Sequence, residues 1–306
     1  MIEQGSNLPL AAQRALPGNN APLRKAFASL GRSLRAVRRA PWSAQLGMAI
    51  IVLYTLAALL APWIAPYGES QVVASEFEPW SRQFLLGTDN LGRDLFTRLL
   101  YGGRNTLGIV LLATCLAFLL GGVAGLLAAV RGGWTDQLLS RLVDVLMAIP
   151  QLIFALLLLT LFGTSVPMLI AIIAVLDSTR VFRLTRAVAS GVVVLDFVEA
   201  ARLRGESTAW IMFREVLPNI LPPLVAEFGL RFCFTFLFIS ALSFLGLGIQ
   251  PPTADWGSMV RDNATLISYG EITPLLPAAA IAILTIGVNF VVDWFLHMTS
   301  GLHDDQ

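Results

Sequence analysis

Of the 306 residues, 56% are apolar and only 13% are charged, well under the roughly 25% charged of an ordinary soluble domain, so most of the surface is built for lipid. A net charge of +1 makes no electrostatic case for a nucleic-acid partner. Lys25, the only lysine, sits in Leu23-Arg24-Lys25-Ala26 rather than a phosphate loop, and the only histidines are His297 and His303; a nucleotide site of the Walker type and a zinc centre built on histidine and cysteine are thereby excluded from this chain.

The first 44 residues are basic, with Leu23, Phe27, Leu30, Leu34 and Val37 recurring at spacings of four and three. This is the pattern of an amphipathic helix, lying on the inner leaflet or packed on a partner subunit. Six stretches then approach the roughly 20 apolar residues that carry a helix across hydrocarbon: about 45–66, 105–130, 145–162, 166–187, 219–248 and 274–298. More than forty residues precede the first and no small-residue cleavage site accompanies it, so it reads as an uncleaved signal anchor.

Residues 67–104 form the long loop after the first span, where Leu91, Leu95 and Leu99 predict a short interfacial helix. In the second span Gly121 and Gly125 have the spacing that lets helices approach closely, most simply within the same chain. Cys115 and Cys233 both lie in apolar stretches and are expected to be buried, inert thiols. Pro150 falls in the first turns of the third span, where a missing backbone donor costs least or a neighbouring helix can compensate. The third and fourth spans run together without a charge from Val145 to Leu176, and Gly163-Thr164-Ser165-Val166-Pro167 supplies the turn that splits them into a hairpin.

Basic residues set the orientation, because flanks facing the cytoplasm carry the excess. Seven precede the first span, Arg131 and Arg141 follow the second, and six lie between Arg180 and Arg214, against five on the other side (Arg82, Arg93, Arg98, Arg104 and Arg261). Both termini are therefore expected in the cytoplasm. Ionised groups inside spans are costly and usually face a bundle interior or a water path. Asp177 with Arg180 and Glu227 with Arg231 have the three- and four-residue spacings for pairing on one helix. A bridge from Asp177 to Arg231 would make a clamp or gate; a solute-facing role for these charges is the alternative.

The polar segment at about 188–218 contains FVEAARLRGESTAWIMFREVLPNILPPL, from Phe197 to Leu224. Good helix formers at Glu199, Ala200 and Ala201, a break at Gly205, and prolines at 218, 222 and 223 describe a short helix-turn-helix. On composition alone this is a docking knob or an ordinary interfacial loop. The segment resembles the EAA loop of binding-protein-dependent ABC import permeases, with Glu199, Ala200, Ala201, Gly205, Leu217 and Pro218 on the pattern and Glu215 where an isoleucine is often found. Leu86-Gly87-Thr88-Asp89, Gly92-Arg93-Asp94, Arg98-Leu99-Leu100-Tyr101-Gly102 and SFLGLGIQPPTADWG (Ser243 to Gly257) further resemble dipeptide/oligopeptide permeases of the C type, the likeness running over about 46–298.

The resemblance implies an all-α, six-span type I importer permease of a bacterial inner membrane, without catalytic residues or a cofactor of its own. Its implied partners are a homologous second permease, two cytoplasmic ATPases carrying ATP and magnesium, and an extracytoplasmic solute-binding protein. It gives Glu199, Ala200, Ala201 and Gly205 the coupling role and assigns Gln250, Asp255 and Trp256 to the loop meeting the binding protein, where a structural cap is the competing reading; Trp256 is also placed to sit at the membrane interface. The expected organisation is a basic segment over 1–44, the first span and its loop over 45–104, a five-helix core over 105–298, and a tail over 299–306. A secondary transporter driven by an ion gradient through Asp177 or Glu227 is the rival function.

Overall fold

The computed structural model describes residues 40–300; the expected amphipathic helix before the first span and the last six residues lie outside them. The described residues form α1 (Trp42–Ile64), α2 (Leu95–Arg131), α3 (Gly133–Ala148), α4 (Gln151–Phe162), α5 (Val166–Val193), α6 (Asp196–Leu203), α7 (Leu217–Phe244), α8 (Trp256–Asp262) and α9 (Leu275–Ser300). A turn at Thr208–Trp210 and a π-helical segment, Ile211–Val216, lead directly into α7. The fold is all-α, as expected.

Four helical runs are long and apolar enough to cross a membrane: Trp42–Ile64, Leu95–Arg131, Thr208–Phe244 and Leu275–Met298. α3 and α4 together make a fifth only if a pair bent by 88° is counted as one span, so by length and composition four or five crossings stand where six were expected. The third expected span is broken at Ile149-Pro150. Proline offers no backbone N–H, and its ring pushes the preceding residue out of the helical region; Ile149 accordingly has φ −92° and ψ 132°. What remains as α4 is 12 residues long, about 18 Å, short of a hydrocarbon core of roughly 30 Å. The fourth stretch does form one 28-residue helix, α5, but Asp177 near its middle and Arg180, Arg183 and Arg186 in its second half give it a polar character. The hairpin between α4 and α5 turns at Gly163, as its chemistry predicts, with φ +92°.

α2 also starts ten residues earlier than expected. Asp94 caps it by accepting a hydrogen bond from the Thr97 N–H at 2.8 Å, which satisfies one of the orphan donors of the first turn. Leu95 and Leu99 thus belong to α2 rather than to a separate interfacial helix; Leu95 is buried and Leu91 is exposed.

α5 lies in contact with α2, and the two glycines explain how closely. A Cβ at 121 would overlap the Ser178 carbonyl oxygen and one at 125 would come within 2.8 Å of the Phe182 carbonyl oxygen, so only glycine permits the backbones to meet. Around this contact one apolar cluster unites Leu159, Leu169, Ile173, Phe236, Ile239 and Leu242, while a second gathers Leu126, Val198, Ile211, Val216 and Ile220 at the opposite end of α2. Cys233 is buried as expected; Cys115 is exposed on α2, because the apolar stretch that contains it has an outward as well as an inward face.

Candidate docking lug, roof and intramembrane charges

At the end of α2 marked by Arg131, the chain between α5 and α7 folds into a lug. α6 has eight residues, and Val198 and Ala201, three apart on one face, are buried in the second cluster. Arg202 Nη2 donates to the Val130 carbonyl oxygen at 3.1 Å, tying α6 to the last turn of α2, where carbonyls lack helical partners. α6 ends with the Gly205 N–H donating to the Arg202 carbonyl at 2.9 Å and the Glu206 N–H to the Ala201 carbonyl at 3.2 Å. That pattern requires a left-handed residue at the turn, and Gly205 supplies φ +80°. A Cβ at 205 would meet nothing within 4 Å, so the glycine is there for its backbone angle alone. Ser207 caps the next turn by accepting from the Trp210 N–H at 3.2 Å.

On this base Glu199, Ala200, Leu203 and Gly205 are exposed, Leu203 to 83%. Ala201 is the exception among the four expected coupling residues: it is wholly buried and positions the others. Glu215, the departure from the EAA pattern, lies 3.6 Å from Arg204, whose guanidinium sits 5.9 Å from the Trp210 ring centroid.

Within the bundle, the pair expected at a spacing of four exists and the one at three does not. Arg231 Nε is 2.7 Å from a Glu227 carboxylate oxygen, and its guanidinium carbon lies 4.8 Å from the Phe234 ring centroid. Asp177 pairs with neither Arg180 nor Arg231. It is buried and accepts from Gln151 Nε2 at 2.9 Å and Thr235 Oγ1 at 2.6 Å, so it joins the start of α4 to α7. Sequence reasoning missed both donors, although a glutamine opening an apolar run after Pro150 was a visible sign. It also missed the two-pronged bridge from Arg186 to Asp136, Nη2 to Oδ2 at 2.6 Å, which joins α3 to α5.

At the other end of α2, residues 67–94 and the connection after α7 close into a roof. Asp89 is the hub: its Oδ2 lies 2.7 Å from Arg93 Nε and 3.2 Å from Arg98 Nε, and its Oδ1 accepts from the N–H groups of Leu91 and Arg93. Glu69 Oε1 accepts from Asn105 Nδ2 at 2.8 Å and from the Ala254 N–H at 2.6 Å, binding three segments together. Asp255 is fully buried; it accepts from Thr106 Oγ1 at 2.9 Å and caps α8 through the Ser258 N–H at 2.8 Å. Burial pushes its carboxyl above the usual carboxylate range, and hydrogen bonds from Ser258, Ser243 and Thr106 pull it back in part. Trp256 is 3% exposed, donates from Nε1 to the Leu99 carbonyl at 2.8 Å, and meets Tyr54 and Phe236 edge to face at 5.8 and 6.0 Å.

Two expectations are corrected here: Asp255 and Trp256 brace the roof from inside and present nothing to a partner, and Trp256 is not an interfacial anchor. Their long-range partners, about 150 residues away in sequence, overrode the exposed-loop reading. Gln250 is half-buried and closes its own turn onto the Gly246 and Gly248 carbonyls at 3.0 Å.

These features define a polytopic α-helical membrane protein with a rigid cap at one end and a small exposed lug at the other. The model of the binding-protein-dependent transport system inner membrane component family matches residues 121–300, and that of the N-terminal TM domain of oligopeptide transport permease C matches 39–80. The chain belongs to this family of transport permeases. It is 35% identical over 254 residues to the Di/tripeptide transport system permease protein DppC of Pseudomonas aeruginosa, covering 81% of this chain and 84% of the relative. A putative peptide transport system permease protein of Brucella suis is 38% identical over 257 residues, 82% and 85% of the two chains. Among solved structures, an amino acid ABC transporter crystallised with histidines shares the fold at a TM-score of 0.50 and 21% identity, over 66% of this chain and 94% of that one.

Proposed function

We propose that this chain is the permease subunit of an ATP-binding-cassette importer for short peptides, contributing half of the path and leaving hydrolysis to other chains. The observation that carries this reading is the lug: an exposed helix end and glycine turn on a base buried against α2 and α7, continuous through Thr208–Phe244 with a long span. A movement imposed on such a lug is delivered directly to the spans. Glu199, Ala200, Leu203 and Gly205 form its contact face for one of two ATPase subunits that carry ATP and magnesium, and Ala201 holds that face in place.

The excess of basic residues on the lug side supports placing the lug and both termini in the cytoplasm, with the roof outside a bacterial inner membrane. A homologous second permease completes the path, and a solute-binding protein meets the roof at its exposed rim near Gln250, Pro251 and Pro252. The peptide assignment follows the descriptions of the relatives. An ion-driven carrier finds no support, since Asp177 is held by Gln151 and Thr235 and Glu227 by Arg231.

ATP-dependent uptake of dialanine by the reconstituted complex tests the reading, with wild type compared against Gly205→Asp and Glu199→Lys and ATPase retention read by pull-down. Uptake and retention should fall together at least tenfold. Transport that persists with no ATPase bound would overturn the assignment.

A further inference from the structure

Arg180 carries a charge at membrane depth that no described residue compensates. Ser178 packs on Gly121 of α2, ten residues (131 − 121) before the end of that helix at Arg131, or about 15 Å at ~1.5 Å per residue. Arg180, two residues nearer the lug, is therefore roughly 12 Å inside the end of an apolar span. It is exposed, and among the described residues it makes no hydrogen bond, ion pair or ring contact; Asp177, on the preceding turn, is occupied by Gln151 and Thr235. Arg183, three residues on, is also exposed and touches only Met147 Sδ, at 3.7 Å from Nη1.

A guanidinium facing hydrocarbon is costly and such groups face a bundle interior, water or a counter-charge, so this face opens on water or on a counter-charge. The surroundings agree. Arg180 borders a cavity of about 210 Å³ at the α3–α4 elbow, walled also by Pro150, Gln151 and Thr179. The larger cleft between α1, α2, α7 and α9, lined by Ile51, Leu107, Phe232 and Val288 among others, is almost wholly apolar, with Arg104 as the one basic residue in its lining.

We propose that Arg180, with Arg183 beside it, is a carboxylate-recognition station in the permease, taking the C-terminal carboxylate of a peptide as it passes the elbow. The inference rests on the peptide-importer reading above. A guanidinium fork matches a carboxylate with two parallel hydrogen bonds, and two such forks one turn apart allow the carboxylate to be handed along α5. A station of this kind must let go, which suits an exposed arginine better than a fully enclosed one.

Two measurements on the reconstituted complex test it. The first is the ratio of ATP-dependent uptake of dialanine to that of dialanine amide at saturating binding protein. It should fall at least tenfold in Arg180→Gln and be largely kept in Arg180→Lys. The second places Arg180→Cys in a chain carrying Cys115→Ser and Cys233→Ala and follows its reaction with a sulfonated methanethiosulfonate, which should proceed and be slowed severalfold by dialanine.

An unchanged ratio, or a thiol that never reacts, would overturn the station. Loss of the second permease on co-purification of Arg180→Gln, with the ratio unchanged in what assembles, would make Arg180 a pairing residue between permeases instead. A wild-type complex that moves neither peptide would defeat the peptide assignment itself, an outcome distinct from a wild type that moves both and a variant that loses both equally.

Discussion

The two ends of α2 hold opposite kinds of structure. At the Leu95 end, Asp89, Arg93, Arg98, Asp255 and Trp256 are buried and satisfied by one another or by backbone; at the Arg131 end, Glu199, Ala200, Leu203 and Gly205 stand exposed on a small buried base. Both ends carry the short sequence patterns that suggested a family, yet the lug exposes Glu199, Ala200 and Gly205 of its pattern while the roof buries Asp89, Asp255 and Trp256 of its own. A run of polar and aromatic residues in a loop is thus ambiguous between a contact surface and a brace until burial is known.

Substitutions at the two ends should separate the two roles. The largest loss of stability is expected for Asp89→Ala, which strands two buried guanidiniums. Breaking a buried ion pair on one side costs about 3–5 kcal/mol, seen as a lower melting temperature in detergent, while ATPase binding by the surviving folded protein stays intact. Gly205→Val should cost about 1–2 kcal/mol through strain at its positive φ, with faster hydrogen exchange confined to 196–206. Asp94→Ala removes the α2 cap and should cost about 1 kcal/mol, again with docking unaffected. Leu203→Ser should leave the melting temperature within the scatter of a surface change, about 0.5 kcal/mol, yet reduce ATPase retention at least tenfold. Retention lost in Asp89→Ala but kept in Leu203→Ser would invert the comparison.

What the sequence made legible was local. Gly205 and Gly163 announced turns because positive φ falls to glycine, Gly121 and Gly125 announced a close helix contact by their spacing, and Glu227 with Arg231 could be paired because four residues bring side chains together on one helix. The rest depended on partners far along the chain. Asp177 meets residues 26 and 58 positions away, and Asp255 meets Thr106 at a separation of 149, distances at which no periodicity helps. The start of α2 was legible in principle from Asp94 and the leucines after it, but Arg98 and Arg104 looked like loop charges until Asp89 was seen to neutralise the first. At Pro150 the sequence reads as a proline tolerated in the first turns of one span, and the 88° bend there was not legible.

The central claim, that the lug is where the chain meets its ATPase, is tested most directly by site-specific photocrosslinking in the assembled complex. A photoreactive side chain is placed at Leu203 and, separately, at Gln250. An adduct with the ATPase subunit from position 203 and none from 250 is predicted. An ATPase adduct from 250, or none from 203 in a complex that still hydrolyses ATP on transport, would contradict the account.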